Sequence, residues 1–127
     1  MKFLSLQHIA IEDPGTFKDF LLGDGHSLTT IQLDEGENIP SNLDEFDAML
    51  CMGGPMDTHM EQEYPWLVPE KKAIGEYVLN LEKPFLGFCL GCQLLCEVLG
   101  GQVVKSSPSE FGVLNIYSQE NIKIDPV

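Results

Sequence analysis

Short apolar runs alternate with helical patterns along this sequence, and this alternation restricts the fold more than any other feature. Residues 3–9, 47–52 and 84–88 are apolar runs of strand length, whereas residues 65–81 and 90–99 carry apolar side chains at helical spacing. Apolar strands that alternate with helices are typical of a parallel sheet covered by helices on both faces. The pattern therefore predicts an α/β fold with a parallel, flavodoxin-like sheet in three layers.

The rest of the chain fits the same architecture. A helix is predicted at residues 14–22, and further strands at residues 27–33, 102–105, 113–117 and 121–124. No internal repeat, low-complexity tract or linker divides the 127 residues. We therefore expect one domain over residues 1–127.

Charge and composition exclude several classes of function. The net charge is −13, from 20 acidic and 7 basic residues, which argues against nucleic acid and anionic membranes as partners. The longest uncharged apolar stretch, residues 84–96, has 13 residues, and a membrane span needs about 20. Three of the four cysteines lie within residues 89–96, which is a poor disulfide framework and favours a reducing, cytoplasmic compartment.

Cys89 is predicted at a sharp turn between a strand and a helix, with Gly87 two residues before it and Gly91 two residues after it. Such a nucleophile elbow exposes a reactive side chain, and its glycines let neighbouring backbone pack closely. The start of a helix favours the thiolate form of a cysteine. The N–H of Leu90 is expected to point toward an oxyanion at the attacked carbon. Gln93, one turn further on, is placed to hold a polar substrate.

Two other interpretations of this segment remain open. Cys89 could be a core cysteine flanked by capping glycines, or Cys89 and Cys92 could form a redox or metal-binding C-x-x-C at the start of a helix. A metal site needs a second pair of ligands, which the sequence does not place, so no metal or cofactor is expected. Cys96 is expected in the core, and Cys92 is ambiguous.

A second glycine turn follows the apolar strand that ends at Met52. Gly53 and Gly54 allow backbone N–H groups to face a ligand, although an ordinary strand-to-loop turn has the same composition. His59, in the polar stretch that follows, is expected on the surface. His8 and His26 are expected near the other end of the sheet or on the surface.

Three segments together resemble the class I, or triad, glutamine amidotransferase family, in its GMP-synthase-like branch. Residues 87–93 read G-F-C-L-G-C-Q and resemble the family's G-x-C-x-G-x-Q nucleophile motif. Residues 53–56 and 63–67, G-G-P-M and E-Y-P-W-L, resemble the oxyanion strand and the segment after it. Residues 109–112, S-E-F-G, resemble the segment that follows the elbow by about twenty residues.

The resemblance implies a role for each matching residue. Cys89 would attack the side-chain amide of glutamine and form a glutamyl thioester, which water hydrolyses after ammonia leaves. The backbone N–H groups of Gly54 and Leu90 would form the oxyanion hole, and Gln93 would contact the substrate. The elbow glycines would be Gly87 and Gly91. The implied partners are glutamine and a synthetase or other ammonia acceptor.

The sequence departs from the family at one place. The family's histidine base lies in an H-x-E pair beyond the E-F-G segment, but no histidine follows His59. We therefore expect the 127 residues to correspond to the N-terminal two-thirds of the usual domain, with weak or absent glutaminase activity. An unfinished cleft with apolar flanks is expected to favour a homodimer. The competing hypotheses are a non-catalytic relative used for binding and a C-x-x-C thiol oxidoreductase.

Overall fold

The computed structural model describes residues 1–107 and Val113. Strands and helices alternate through this part of the chain. In chain order they are β1 (Lys2–Gln7), α1 (Thr16–Gly23), β2 (Ser27–Gln32), a 3₁₀ turn (Leu43–Glu45), β3 (Ala48–Cys51), α2 (Leu67–Gly75), a π-helical segment (Glu76–Asn80), β4 (Phe85–Gly87) and α3 (Leu90–Val98).

The four strands form one parallel sheet in the order β2-β1-β3-β4. Parallel neighbours require crossover connections, which here contain α1, the 3₁₀ turn and α2. The predicted parallel α/β fold is confirmed, and the strand order is that of flavodoxin-like sheets. In the register of the ladder, Leu6 pairs with Cys51, and Cys51 pairs with Gly87. The carboxyl ends of β1, β3 and β4 therefore meet at one edge of the sheet.

Alternating side chains of the strands pack on opposite faces of the sheet, as the two-residue period of a strand requires. The larger core lies against α2 and α3 and contains Leu4, Leu6, Met49 and Cys51 of the strands. The smaller core lies on the other face, near α1, and contains Phe3, Leu21, Ala48, Leu50 and Met52.

The predicted strand at residues 102–105 is wrong, because residues 101–106 have no regular secondary structure. Val104 is 76% exposed. Valine favours strands only when a neighbouring strand and a packed face are available, and among the described residues none pairs with this segment. The strands predicted at residues 113–117 and 121–124 and the E-F-G segment at 109–112 lie outside the described residues, apart from Val113.

The helix predicted over residues 65–81 divides into two parts. Residues Leu67–Gly75 are α-helical, and residues Glu76–Asn80 continue as a π-helical segment. No helix in residues 1–107 has both the length and the apolar character needed to cross a membrane.

Candidate active site

Cys89 occupies the turn between β4 and α3, at the carboxyl edge of the sheet. Its backbone has φ 48° and ψ −105°, a conformation that non-glycine residues rarely adopt. Strained backbone of this kind is found where a turn must present a side chain in a fixed direction. The side chain of Cys89 is exposed, so the thiol is accessible to a ligand at this edge.

The two glycines that flank Cys89 are required by close backbone packing. A Cβ at Gly87 would lie 2.5 Å from the carbonyl carbon of Gly91 and 2.6 Å from the nitrogen of Cys92. A Cβ at Gly91 would overlap the carbonyl oxygen of Cys51 on β3. The spacing of glycine, cysteine and glycine therefore reflects the contact of α3 with the ends of β3 and β4.

Hydrogen bonds fasten the elbow to the neighbouring strand. The N–H of Phe88 donates to the carbonyl of Cys51 at 2.9 Å, and the N–H of Gly91 donates to the carbonyl of Met52 at 3.2 Å. The position of Cys89 is therefore set by β3 as well as by its own strand.

The Gly53–Gly54 turn packs directly against this elbow. A Cβ at Gly53 would overlap the carboxylate of Glu12 and lie 3.5 Å from Cβ of Cys89. A Cβ at Gly54 would lie 3.2 Å from Cδ2 of Leu90. Within residues 1–107, neither the N–H of Gly54 nor that of Leu90 donates a hydrogen bond. The contact of the two turns thus contains two N–H groups that have no acceptor within residues 1–107, one on the partly exposed Gly54 and one on the buried Leu90.

The other cysteines differ in their surroundings. Cys51 is fully buried, and burial followed by the charge and hydrogen bond of Glu70 raises its pKa well above the ordinary value for a thiol. Cys96 is half-buried, with its Sγ 3.9 Å from the carbonyl oxygen of Gln102, rather than part of the central core. Cys92 is exposed. No disulfide links any of the four.

Gln93 lines a cavity of about 600 Å³ beside the start of α3. The N–H of Gln93 donates to the carbonyl of Cys89 at 3.2 Å, so the glutamine lies in the first turn after the elbow. Polar side chains dominate the rest of the lining, which consists of Asp57, Thr58, His59 and residues 103–106. The cavity therefore offers amide, hydroxyl, imidazole and charged groups to a small polar ligand.

A carboxylate next to the rim of this cavity, hydrogen-bonded to the lining residue Thr58, is kept ionised. Burial acts against ionisation of Glu97, but hydrogen bonds from Thr58 and Lys71 and the charge of Lys71 outweigh it and lower the pKa of Glu97. Thr58 and Glu97 are hydrogen-bonded, and Lys71 lies 2.9 Å from Glu97. This network joins α2 and α3 to the loop that follows the glycine turn.

His8 lies where the sequence did not place it. It was expected at the other end of the sheet or on the surface, and this expectation is wrong: His8 directly follows β1 at the carboxyl edge and is 0% exposed. Its Nδ1 lies 2.9 Å from the carbonyl oxygen of Gly53, and its Nε2 lies 2.8 Å from Oε1 of Glu70. The available signal was its position immediately after an apolar strand, because carboxyl ends of parallel strands share one edge.

The remaining histidines match their expected positions. His26 precedes β2 at the amino end of the sheet, where its Nδ1 lies 3.3 Å from the N-terminal amine. His59 is exposed on the loop that lines the cavity containing Gln93.

His8, Cys51 and Glu70 are the one group in residues 1–107 whose donor atoms could share a metal ion, all within 4.8 Å of one another. Nitrogen and oxygen ligands of tetrahedral zinc are about 3.4 Å apart, given bonds of about 2.1 Å. The 2.8 Å between Nε2 of His8 and Oε1 of Glu70 is instead a hydrogen-bond distance. The observed contact between His8 and Glu70 is therefore that of a hydrogen-bonded pair.

Comparison with known proteins points to one family. The sequence model of the family described as "Glutamine amidotransferase class-I" matches residues 21–123. The chain is 31% identical over 108 residues to the glutamine amidotransferase-like protein YfeJ of Salmonella typhimurium, covering 83% of this chain and 45% of YfeJ. It is 38% identical over 82 residues to one subunit of the glutamine-hydrolyzing GMP synthase of Sulfolobus acidocaldarius, covering 63% of this chain and 40% of that protein.

Solved structures give the same result. A glutamine amidotransferase from Thermotoga maritima superposes with a TM-score of 0.74 and 36% identity, over 79% of this chain and 43% of that one. A glutamine amidotransferase from Methylobacillus flagellatus superposes with a TM-score of 0.79 and 31% identity, over 87% of this chain and 43% of that one. The chain thus spans less than half the length of these four relatives.

Proposed function

Because this chain belongs to the class I glutamine amidotransferase family, we propose that it carries the nucleophilic part of a glutamine-hydrolysing site, with Cys89 as the nucleophile. The family assignment rests on the match over residues 21–123. The observation that carries the proposal is the contact between the strained elbow at Cys89 and the Gly53–Gly54 turn. At that contact, adjacent turns contain an exposed cysteine and two N–H groups that have no acceptor within residues 1–107.

In the proposed reaction, the sulfur of Cys89 forms a bond to the amide carbon of the glutamine side chain. The carbonyl oxygen becomes an oxyanion, which accepts hydrogen bonds from the N–H groups of Gly54 and Leu90. The carbon–nitrogen bond then breaks, the nitrogen takes up a proton and leaves as ammonia, and a glutamyl thioester remains. Water hydrolyses the thioester to glutamate and restores the thiol.

The cavity beside α3 is the proposed binding site for the rest of the glutamine molecule. Gln93 offers a side-chain amide next to the elbow, and the cavity lining supplies both carboxylate and ammonium groups. Glutamine carries an amine and a carboxylate on one carbon, so a cavity with both signs of charge is suited to it. The net charge of −13 is no obstacle, because recognition is local.

The leaving ammonia needs a proton, and the 127 residues contain no histidine after His59. His59 lines the same cavity as Gln93, so we propose it as the local candidate for this proton transfer. A positioned acid–base group contributes about 10²–10⁴-fold to such a rate, and His59 is exposed. We therefore expect slow hydrolysis by these residues alone.

We propose a partner and a cellular compartment from the name of one relative and from the state of the cysteines. One relative belongs, by its name, to a glutamine-hydrolyzing GMP synthase, which supports a synthetase partner as the ammonia acceptor. The four free cysteines agree with the reducing, cytoplasmic compartment predicted from the sequence. A homodimer stays a prediction.

Ammonia release from glutamine tests the proposal directly. Cys89→Ala should abolish release, whereas Cys92→Ala, which removes an exposed thiol three residues further on, in the first turn of α3, should leave it unchanged. His59→Ala should slow release if His59 transfers the proton. Retention of activity in Cys89→Ala would refute the nucleophile.

Two further measurements separate the alternative functions. Glutamine binding without ammonia release, measured by calorimetry, would favour the non-catalytic relative. Ready formation of a disulfide between Cys89 and Cys92, together with disulfide reductase activity, would favour the thiol oxidoreductase. The family match and the structural relatives give no support to the oxidoreductase.

A further inference from the structure

The Gly53–Gly54 turn is held from behind by a buried cluster that the proposed reaction does not use. His8 follows β1, Cys51 ends β3 and Glu70 lies in α2, and all three are 0% exposed. Moving a charged pair out of water is costly unless its geometry and its further hydrogen bonds are good. A pair retained at the edge of the proposed site therefore requires an explanation.

The hydrogen bonds define the protonation state of His8. A backbone carbonyl and a carboxylate can only accept hydrogen bonds. His8 contacts the carbonyl of Gly53 through Nδ1 and the carboxyl group of Glu70 through Nε2. With Glu70 ionised, both ring nitrogens donate, and the ring is an imidazolium. The indole of Trp66 stacks on the ring with centroids 5.4 Å apart, a contact that also favours a cation.

The pKa of His8 agrees with this assignment. Burial acts to lower it, but the hydrogen bond and negative charge of Glu70 outweigh burial, and the Gly53 carbonyl and Glu12 add to them. The result is a pKa raised above 6.5. The Cys51 thiol, whose own pKa is raised, donates to the same carboxylate oxygen at 3.3 Å.

Because the peptide is planar, the hydrogen bond from His8 to the Gly53 carbonyl also sets the direction of the Gly54 N–H. In a planar trans peptide, the carbonyl of one residue and the N–H of the next point in opposite directions. The Gly53 carbonyl points at His8, so the Gly54 N–H points away from the buried cluster. The elbow lies across the turn, because a Cβ at Gly53 would be 3.5 Å from Cβ of Cys89. Without such a tie, two successive glycines have access to many peptide orientations.

We propose that His8 and Glu70 are positioning residues, which hold the Gly53–Gly54 peptide so that the Gly54 N–H is aimed at the oxyanion before substrate binds. The inference rests on the proposed function, because it assumes that the Gly54 N–H stabilises the oxyanion in that reaction. His8 does not touch substrate in this scheme. Glu70 acts one step further away, by keeping the imidazolium charged and oriented.

Two substitutions of His8 separate its two hydrogen bonds. In His8→Asn, the amide nitrogen takes the approximate place of Nδ1 and donates to the Gly53 carbonyl without reaching Glu70. In His8→Gln, the amide nitrogen takes the approximate place of Nε2 and donates to Glu70, so the Gly53 carbonyl loses its donor. Both variants remove the charge and keep an amide, and each is the matched control of the other.

Two reagents for Cys89 separate oxyanion stabilisation from thiol reactivity. A chloromethyl ketone analogue of glutamine forms an oxyanion when the thiolate adds to its ketone carbon, before sulfur displaces chloride. Iodoacetamide alkylates the thiolate by direct displacement of iodide and needs no oxyanion donor. Both reactions proceed without a leaving ammonia, and peptide mass spectrometry follows each of them at Cys89.

Loss of one oxyanion donor costs about 10²–10³-fold, so His8→Gln should slow capture by the ketone about a hundredfold and leave the iodoacetamide rate unchanged. His8→Asn should remain within about tenfold of the unsubstituted protein with both reagents, because its oxyanion donor is still held. Equal losses in the two variants, no loss in either, or a parallel loss with iodoacetamide would overturn the positioning role. Equimolar zinc in the purified protein would also overturn it, by assigning the cluster to a metal.

The outcome for the unsubstituted protein distinguishes the two proposals. If iodoacetamide labels Cys89 but the ketone does not, the proposed function fails and the positioning role fails with it. If the ketone captures Cys89 at equal rates in both variants, only the positioning role fails.

The unsubstituted protein supplies a second measurement that does not depend on the folding of a variant. When His8 loses its proton, the remaining N–H is retained by the charged Glu70, and the Gly53 carbonyl faces a lone pair. The ratio of ketone to iodoacetamide rates cancels the ionisation of Cys89 itself and should fall as the pH rises through the raised pKa of His8. The titratable groups that face His8 are Glu70, Cys51 and Glu12. A ratio that is flat from about pH 6 to 9 would contradict the inference.

Discussion

Cys51 ends one strand of the sheet and Cys89 lies just after the neighbouring strand, and their surroundings are opposite. Cys51 ends β3, is fully buried and donates a hydrogen bond to Glu70. Cys89 follows β4, is exposed and precedes the first residue of α3. Gly53 packs against Cys89, and Gly91 of α3 packs against Cys51, so the two environments adjoin.

The difference divides this edge of the sheet into two parts. The inner layer is the buried cluster of His8, Cys51 and Glu70, and the outer layer is the exposed elbow at Cys89. In the inner layer, burial and a carboxylate keep the Cys51 thiol protonated, as its raised pKa indicates. In the outer layer, Cys89 is exposed and immediately precedes the first residue of α3. In the two proposals above, the inner layer supports the turn and the outer layer binds the ligand. Four experiments test this division, and they are described from the largest expected effect to the smallest.

Adding a methyl group where the two layers touch should lower the free energy of unfolding more than any other change described here. Gly91→Ala would drive a methyl group into the carbonyl of Cys51, and because this neighbour is backbone it cannot rotate away. We expect a loss of about 4 kcal/mol or more in the free energy of unfolding, beyond the usual cost of overpacking. Denaturant titration measures it. Gly23→Ala, where a Cβ meets nothing within 4 Å, should stay within about 0.5 kcal/mol of the unsubstituted protein.

Breaking the inner layer should have the next largest effect. Glu70→Gln leaves the buried imidazolium of His8 without its counter-charge, and loss of one partner of a buried pair costs about 3–5 kcal/mol. The pKa of His8 is raised above 6.5 in the folded protein, so its contribution to stability is present below pH 6.5 and is lost as the pH rises through the raised value. The difference in unfolding free energy should therefore be largest below that pH and should shrink in alkali.

Glu63→Gln is the matched control for this experiment, because Glu63 is exposed and makes no ion pair within residues 1–107. Its unfolding free energy should follow that of the unsubstituted protein at every pH. A Glu70→Gln difference that grows with pH would contradict the assignment of an imidazolium.

The two cysteines should react at very different rates. Iodoacetamide should alkylate Cys89 about a hundredfold faster than Cys51 in the native protein, because Cys51 reacts only after local opening. Peptide mass spectrometry over time gives both rates. In denaturant the two rates should converge, and a native Cys51 that labels as fast as Cys89 would show that the inner layer is open.

Removing the partly solvated ion pairs of Lys71, next to the rim of the cavity, should change the free energy of unfolding least. Lys71 lies 2.8 Å from Glu61 and 2.9 Å from Glu97, at a partly exposed position. Pairs of this kind contribute about 0.2–1 kcal/mol, so Lys71→Met should lower the unfolding free energy by no more than about 1 kcal/mol. Added salt should reduce the difference. Lys72→Met, at an exposed lysine without an ion pair in residues 1–107, should have less effect, and equal losses would show that the rim pairs contribute nothing.

Much of the fold could be predicted because its signals are local. The apolar strands and the helical spacing predicted the sheet, and the spacing of Gly87, Cys89 and Gly91 predicted a strand-to-helix turn that the backbone angles now show. The strand predicted at residues 102–105 is wrong, because a strand needs a neighbouring strand to pair with as well as suitable residues of its own. The roles of Gly54, Leu90 and Gln93 stay predictions, although the structure places all three beside the elbow.

By itself, the sequence determined the alternation of strands and helices and the two glycine turns, because each depends on residues only a few positions apart. The tertiary structure decided what supports those turns. His8 is 45 positions from Gly53 and 62 from Glu70 along the chain, yet each contact is shorter than 3 Å. No spacing rule predicts contacts at such separations, because they exist only after parallel pairing has brought the ends of β1 and β3 together and α2 has packed over them.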